Sequence, residues 1–228
     1  MVVASEPFEF KGLLARAAGV RRAAVDADWA RAARLGDHEL LLVANGAGRR
    51  RAAAAVDAGM AGFQADALAS TGLCGAVATE LGAAQVVVAT EVVHGEARYP
   101  AAAPGCAREH RRGVVRTIDC IAVTAEEKRQ WRSTGAIAVE MEAAAVAERA
   151  LARGLPFYCV KAVSDLAEET LANDLNAALR PDGHFDTMNI LGSTLRHPLV
   201  RVPELLRLWR RSARAANYLG EFFADCRF

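Results

Sequence analysis

The stretch AIAVEMEAAAVAERALARGLPFYCVKAVSD, residues 136–165, decides the fold class of this chain. Its two apolar runs, 136–139 and 157–163, have the length and composition of buried strands, and the Ala-rich run 143–153 between them is typical of a helix. A strand, a helix and a second strand in succession predict an α/β domain with a largely parallel sheet.

Further apolar runs continue this alternation toward the N-terminus. They predict strands at 40–44, 67–70, 85–93 and 114–118, and helices at 49–58 and 126–132. We expect a single domain over residues 1–228, in which the long loop 95–112 forms a lid or an interface.

The C-terminal segment has the pattern of an amphipathic helix over about residues 203–223, in which leucines and Trp209 alternate with arginines. In soluble proteins such an apolar face usually packs on the domain or on a second subunit. A basic amphipathic helix can also bind an anionic surface, so contact with a membrane is the alternative.

The composition indicates a globular chain with a large core, because 53% of its 228 residues are hydrophobic. The formal net charge of +1 provides no overall field that would attract nucleic acid. No apolar stretch has the roughly 20 residues of a membrane helix, and acids stand where a secretory signal needs a basic end. We therefore expect a cytoplasmic protein. The five cysteines form no CxxC pair, and they predict neither a disulfide framework nor a zinc site.

An acid ends the second strand of the opening stretch, where Ser164 and Asp165 follow an apolar run. Ligands of open α/β sheets bind beyond the carboxyl ends of the strands. A partly desolvated carboxyl group at that position can donate a proton near neutral pH. The alternative role for Asp165 is to cap a helix in the segment that follows.

Two further acids, Glu140 and Glu142, lie among small apolar residues. They share a face if the backbone is extended and point about 200° apart if it is helical, so we expect different roles for them. Glu142 stands where a helix begins, and the positive end of the helix dipole favours a carboxylate there. The small side chains of its neighbours leave room for a ligand to approach. For Glu140 we expect a structural ion pair with Lys161, because opposite charges inside apolar strands need mutual compensation.

Two glycine-rich segments, ANGAGRRR (44–51) and ASTGLCGAV (69–77), predict turns at which the backbone can approach a sugar or a phosphate. Neither is a dinucleotide fingerprint or a P-loop, since Arg51 replaces the third glycine and the lysine is missing. Ordinary tight turns are the alternative. The five histidines lack ligand spacing, so we expect no metal.

Five segments taken in order, STGLCGA, VVVATEVV, IAVTAEEK, AVEMEAAAVA and PFYCVKAVSD, resemble the nucleoside phosphorylase family, which includes the methylthioadenosine/S-adenosylhomocysteine nucleosidases. The resemblance spans about residues 39–170. It implies a three-layer α/β/α fold with a twisted mixed central sheet, and cleavage of the bond between a ribose and a base. It further implies a small nucleoside as the partner, chemistry that needs no cofactor, and a homodimer or higher homo-oligomer.

The resemblance also assigns the two central acids. Asp165 resembles the family's general acid, which protonates or hydrogen-bonds the departing purine at a ring nitrogen, and Ser164 would support it. Glu142 resembles the carboxylate that binds the ribose hydroxyls and favours a cationic transition state, while Met141 would pack against the sugar.

The remaining roles rest on looser matching. The slot for the base is expected at Ile121, Ala122 and Val123, and Gly72 is expected to contact the substrate. A glutamate near the N-terminus activates water in the nucleosidases, and here Glu9 is the first choice and Glu6 the alternative.

Departures from the family pattern favour water over phosphate. The phosphorylases hold phosphate with arginines near the N-terminus and around the STG turn, whereas no arginine precedes Arg16 and the turn carries Ser70 and Leu73. Leu73 also replaces a serine that is usual in the methylthioadenosine nucleosidases. The segment ALRPDGHFD and the arginine-rich tail look more like the hopanoid-associated phosphorylases.

The function expected from these features is a purine nucleosidase that cleaves methylthioadenosine, S-adenosylhomocysteine or a related adenosyl compound with water. One alternative is a nucleoside phosphorylase, including a hopanoid-associated one that acts on an adenosyl lipid. The other is a nucleoside-binding module without turnover.

Overall fold

Ten strands form one mixed sheet in the computed structural model, which describes all of residues 1–228. The strands are β1 (Val2–Ala4), β2 (Ala18–Arg22), β3 (Trp29–Leu35), β4 (His38–Ala44), β5 (Leu68–Ala76), β6 (Val86–His94), β7 (Ala97–Pro100), β8 (Arg111–Thr117), β9 (Ala136–Glu140) and β10 (Phe157–Asp165).

The strand pairing closes part of this sheet on itself. β5, β10, β6, β8 and β9 pair in that order, and β9 pairs back with β5. From β5 the sheet continues through β1, β4 and β3 to β2, and β7 lies beside β6. β5 and β10 run parallel over almost their full length, so residues 73–75 lie beside residues 162–165 at the carboxyl end of both strands.

Helices cover both faces of the sheet. They are α1 (Lys11–Leu14), α2 (Arg49–Met60), α3 (Ala125–Arg132), α4 (Ala143–Leu151), α5 (Leu175–Ala178), α6 (Thr187–Arg196) and α7 (Pro198–Asp225), with a 3₁₀ turn at Pro7–Phe10 before α1. Successive strand residues point to opposite faces of the sheet and belong to different hydrophobic cores. Val43 packs in the core with α2 and α4, whereas Leu42 packs in the core with α1 and α7. The predicted α/β/α architecture with a mixed sheet is confirmed.

α7 begins earlier than the tail helix predicted from the sequence and carries Pro203 inside it. Its second half packs on the domain through Ala216, Leu219 and Phe222. The helix can approach α1 this closely because Gly220 faces Gly12, and a Cβ atom on either would collide with the opposite backbone. Trp209 is 68% exposed, so the Trp part of the expected apolar face does not pack on the domain. No helix in the structure is both long and apolar enough to cross a membrane.

The long loop predicted at 95–112 is partly ordered as β7 and the start of β8. It is also covalently tied to the C-terminus, because Cys106 and Cys226 form a disulfide. The expectation that the cysteines form no disulfide is therefore wrong for this pair. The two residues are 120 positions apart, and no local spacing in the sequence indicates that they meet.

Candidate active site

A cavity of about 250 Å³ lies where β5, β9 and β10 end. Five acids are among the residues that line it, namely Glu6, Glu9, Glu140, Glu142 and Asp165, and no lysine or arginine is. The rest of the wall is mainly apolar. The structure thus gathers acids from three separate parts of the sequence around one cavity.

Asp165 ends β10 with its carboxyl group in the cavity wall. Oδ1 lies 2.6 Å from the Ser164 hydroxyl, which is also 3.1 Å from the Cys74 carbonyl oxygen. Oδ2 forms an ion pair at 2.6 Å with Nζ of Lys128. No helix begins directly after Asp165, and the next helix, α5, is capped by Asp174, so Asp165 is not a helix cap.

Lys128 also belongs to this site, although nothing in the sequence pattern indicated it. It lies on α3, whose N-terminus is closed by a capping box between Thr124 and Glu127. The side chain is fully buried, and Nζ also donates to the carbonyl oxygens of Leu166 and Glu169 at 2.8 and 3.1 Å. All three ammonium hydrogens therefore have an acceptor.

The ion pair predicted between Glu140 and Lys161 is confirmed, with 2.9 Å between Oε2 and Nζ. The same Oε2 accepts the backbone N–H groups of Glu142 and Ala143, and Oε1 accepts the Thr117 hydroxyl. Glu140 therefore pairs with the first two backbone N–H groups at the start of α4 and fixes the bend between β9 and α4.

Glu142 is buried at the N-cap of α4 but does not cap it. Oε1 accepts the Gly48 N–H at 2.9 Å, and Oε2 lies 3.7 Å from Nζ of Lys161. Burial, and after it repulsion by Glu140 and Glu9, raises its pKa to about 7, although Lys161 and the Gly48 N–H oppose the shift.

Lys161 is the cation that interacts with Glu140, Glu142 and Glu9. Burial would lower its pKa, but attraction by Glu140 and then Glu142 outweighs burial and raises it. The ammonium thus stays charged, and three carboxyl groups share one positive charge.

Glu9 reaches the cavity from the 3₁₀ turn at the N-terminus. Its Oε2 accepts the N–H and hydroxyl of Ser5 and the N–H of Glu6, and its Oε1 accepts the Leu73 N–H at 2.7 Å. Gly72 makes this approach possible, because a Cβ atom there would collide with the Glu9 carboxylate and the backbone φ is +118°.

Gly72 does not line the cavity, and the contact that the structure gives it is this packing against Glu9, so its contact with the substrate stays a prediction. It also lies inside β5 rather than in a turn that follows the strand. Glu6, the alternative to Glu9, lines the cavity as well, and burial together with the nearby Glu9 raises its pKa.

Two of the three residues expected to hold the base lie at the cavity. Ile121 and Ala122 line the cavity, but Val123 does not. Asn176 bonds both backbone polar groups of Ile121, and those of Val123 are bonded by Glu127 and the Leu171 N–H. Ala122, between them, is buried, and neither its backbone N–H nor its C=O forms a hydrogen bond within the chain. Met141 and Ser164 line the same cavity.

No group of three or more His, Cys, Asp or Glu side chains has the arrangement of a metal site. The arginines that follow the first glycine-rich turn point elsewhere: Arg49 lies 2.7 Å from Nε2 of His94, and Arg51 pairs with Asp28 at 3.1 Å. Neither lines the cavity.

A family model described as the phosphorylase superfamily matches residues 2–118 and 107–183. Among solved structures, the methylthioadenosine/S-adenosylhomocysteine nucleosidase of Streptococcus pneumoniae with a transition-state inhibitor is 20% identical, with a TM-score of 0.70 over 98% of this chain and 97% of that one.

Two further solved structures have a similar fold. The S-adenosylhomocysteine nucleosidase of Streptococcus pyogenes is 23% identical, with a TM-score of 0.65 over 96% of this chain and 95% of that one. The futalosine hydrolase of Helicobacter pylori is 13% identical, with a TM-score of 0.72 over 98% of this chain and 94% of that one.

Proposed function

Because the chain belongs to the phosphorylase superfamily, we propose that it cleaves the N-glycosidic bond of a purine nucleoside with water as the nucleophile. An adenine nucleoside such as methylthioadenosine or S-adenosylhomocysteine is the substrate class, in line with the names of the two Streptococcus nucleosidases above.

The observation that carries this proposal is the charge of the cavity, which five acids line without a lysine or arginine. A phosphate dianion needs several donors and a fixed positive charge, and these walls would repel it. A sugar that becomes cationic as its bond to the base breaks is instead stabilised by surrounding carboxylates. The cavity therefore favours an uncharged nucleophile.

Glu142 is suited to the ribose hydroxyls. Its carboxyl group lies at the cavity wall beside the buried Glu140–Lys161 pair, and its charge is only partly compensated because Lys161 is 3.7 Å away. When ionised it accepts hydrogen bonds from hydroxyl groups and faces the developing positive charge. Met141, next to it, supplies an apolar contact for the sugar.

Glu9 is suited to activate water. Its carboxylate is held in place by donors from Ser5, Glu6 and Leu73, and it lies close enough to Glu142 to raise the pKa of that residue. As the water oxygen bonds to the anomeric carbon, its proton passes to Glu9, and the electron pair of the broken glycosidic bond stays on the purine.

Asp165 and Ala122 are suited to the base. The free N–H and C=O of Ala122 match the paired acceptor and donor on the Watson–Crick edge of adenine. Asp165 faces the same space, and a proton passes from it to a purine ring nitrogen as the bond breaks.

The test is to incubate the protein with methylthioadenosine, S-adenosylhomocysteine, adenosine and inosine, each with and without phosphate, and to measure the free base. We expect adenine from at least one adenosyl compound at a rate that phosphate does not change. Glu9→Gln should abolish this release and the neighbouring Glu6→Gln should retain it. No base from any nucleoside would leave the nucleoside-binding module as the better account, and release only with phosphate would indicate a phosphorylase.

A further inference from the structure

The buried lysine beside Asp165 has no role in the mechanism described so far. Lys128 is fully buried, and its Nζ is 2.6 Å from Oδ2 of Asp165. Burying an ammonium is costly, and this one is compensated by one carboxylate and two carbonyl oxygens, which together accept all three of its hydrogens. A lysine kept in such a place, in contact with the residue assigned to the leaving group, invites a functional explanation.

We propose that Lys128 is a positioning residue for departure of the base, which acts through Asp165 and does not itself touch the substrate. This inference rests on the proposed nucleosidase function and adds a residue to it. Lys128 does not line the cavity, whereas Asp165 does, so any effect on the base must pass through the carboxyl group.

The geometry fixes the Asp165 carboxyl group from both sides. Lys128 holds Oδ2 and the Ser164 hydroxyl holds Oδ1, so the plane of the group cannot rotate freely. The carbonyl oxygens of Leu166 and Glu169 hold the ammonium in turn, which links α3 to the segment that follows β10. A group held this tightly is oriented before the substrate arrives.

The pair also accounts for the proton that the base needs. An ammonium beside a carboxylate holds one proton that can move along their hydrogen bond. As negative charge builds on the purine, the proton moves from Nζ to the Asp165 carboxylate and then to the ring nitrogen. This leaves a neutral amine at Lys128 and a carboxylate at Asp165. Solvent returns one proton through Asp165, which borders the cavity, once the base has left.

A comparison of two leaving groups separates this role from a merely structural one. Adenine needs a proton as it departs, whereas 4-nitrophenolate is stable without one, so 4-nitrophenyl β-D-riboside requires no acid. We expect Lys128→Met to lower kcat/KM for the adenine nucleoside by roughly 10² to 10³ and to leave kcat/KM for the nitrophenyl riboside within about threefold of wild type. The ratio of the two values in one sample does not depend on how much of the variant is folded.

Three further variants sharpen the comparison. Asp165→Asn should show the same change in the ratio, and the double variant should be no worse than Asp165→Asn alone, because the two residues act as a unit. Lys128→Arg keeps the charge but cannot release a proton, so it should remain impaired on the nucleoside. Arg129→Met, which removes an exposed cation from the same helix, should leave kcat/KM unchanged for both substrates.

Equal losses on both substrates in Lys128→Met, including complete loss of both, would make Lys128 a structural residue and overturn the proposal. An unchanged ratio, additive losses in the double variant, or full recovery in Lys128→Arg would overturn it as well. If the wild-type protein cleaves no nucleoside, it is the proposed function that fails, before the lysine is tested.

Discussion

Oε2 of Glu142 lies 3.7 Å from Nζ of Lys161, beyond hydrogen-bonding distance. The ammonium is instead 2.9 Å from Glu140, which takes most of its charge. Glu142 is therefore the less compensated of the two acids, and burial raises its pKa to about 7. An acid of this kind changes its charge near neutral pH, at the wall where we place the sugar.

The first prediction concerns the pH dependence of the reaction. Only ionised Glu142 can accept from the ribose hydroxyls and stabilise a cationic sugar, so kcat/KM should rise between pH 6 and 8 with an inflection near the pKa of about 7. A pH–rate profile of the wild-type protein measures this. Glu142→Gln should be slow at every pH and lack the inflection. A wild-type profile that falls over this range would contradict the role of Glu142.

The second prediction concerns stability. The pKa of Glu142 is raised from its ordinary value of 4.5 to about 7, so the folded protein loses stability as pH rises through this interval. The loss is about 3 kcal/mol when complete, above pH 7. Glu142→Gln should thus be more stable than wild type at pH 8, by a margin that shrinks toward pH 5. Denaturant unfolding at the two pH values measures the margin, and a margin independent of pH would disagree with this account.

The third prediction is that Glu140→Gln has the opposite effect. It leaves the buried Lys161 with only the more distant Glu142 as an ionic partner and weakens the bonds to the start of α4. Breaking a buried pair by removing one partner costs about 3–5 kcal/mol. Thermal unfolding should show a lower Tm at pH 8 for Glu140→Gln than for wild type. If Glu142→Gln were instead the destabilised variant, the division of roles between the two acids would be wrong.

The fourth prediction is that Asp165→Asn lowers kcat by a factor on the order of 10² to 10⁴ with little change in KM. Help to the leaving group is realised mainly in the transition state, so binding of the intact nucleoside should persist. Steady-state kinetics with the preferred nucleoside gives both constants. An unchanged kcat would remove Asp165 from the chemistry.

The long apolar strands and the helix between β9 and β10 could be predicted from the sequence because strands buried on both faces are apolar throughout. The pair between Glu140 and Lys161 could be predicted for a related reason: two opposite charges in apolar strands have few other partners. β2 and β3 could not be predicted, since every residue of β2 is exposed and β3 mixes small apolar residues with arginines at the same end of the sheet.

The site could be predicted less completely, because it depends on contacts between distant segments. Lys128 stands in the polar run AEEKRQ, which is typical of a solvated helix, and only the packing of α3 against the end of β10 buries it. Gly72 was predicted to meet the substrate, but the fold brings Glu9 to that position from 63 residues away. Spacing along the chain indicates neither the contact of Lys128 with Asp165 nor the contact of Glu9 with Gly72.

The most direct test of the central claim is the fate of the water oxygen. The preferred adenosyl compound is cleaved in water enriched in ¹⁸O, with phosphate present in excess, and the sugar product is analysed by mass spectrometry. We predict a free sugar that carries one ¹⁸O atom per adenine released, and no sugar 1-phosphate. A sugar 1-phosphate formed in equal amount to adenine would contradict the account and make the protein a phosphorylase.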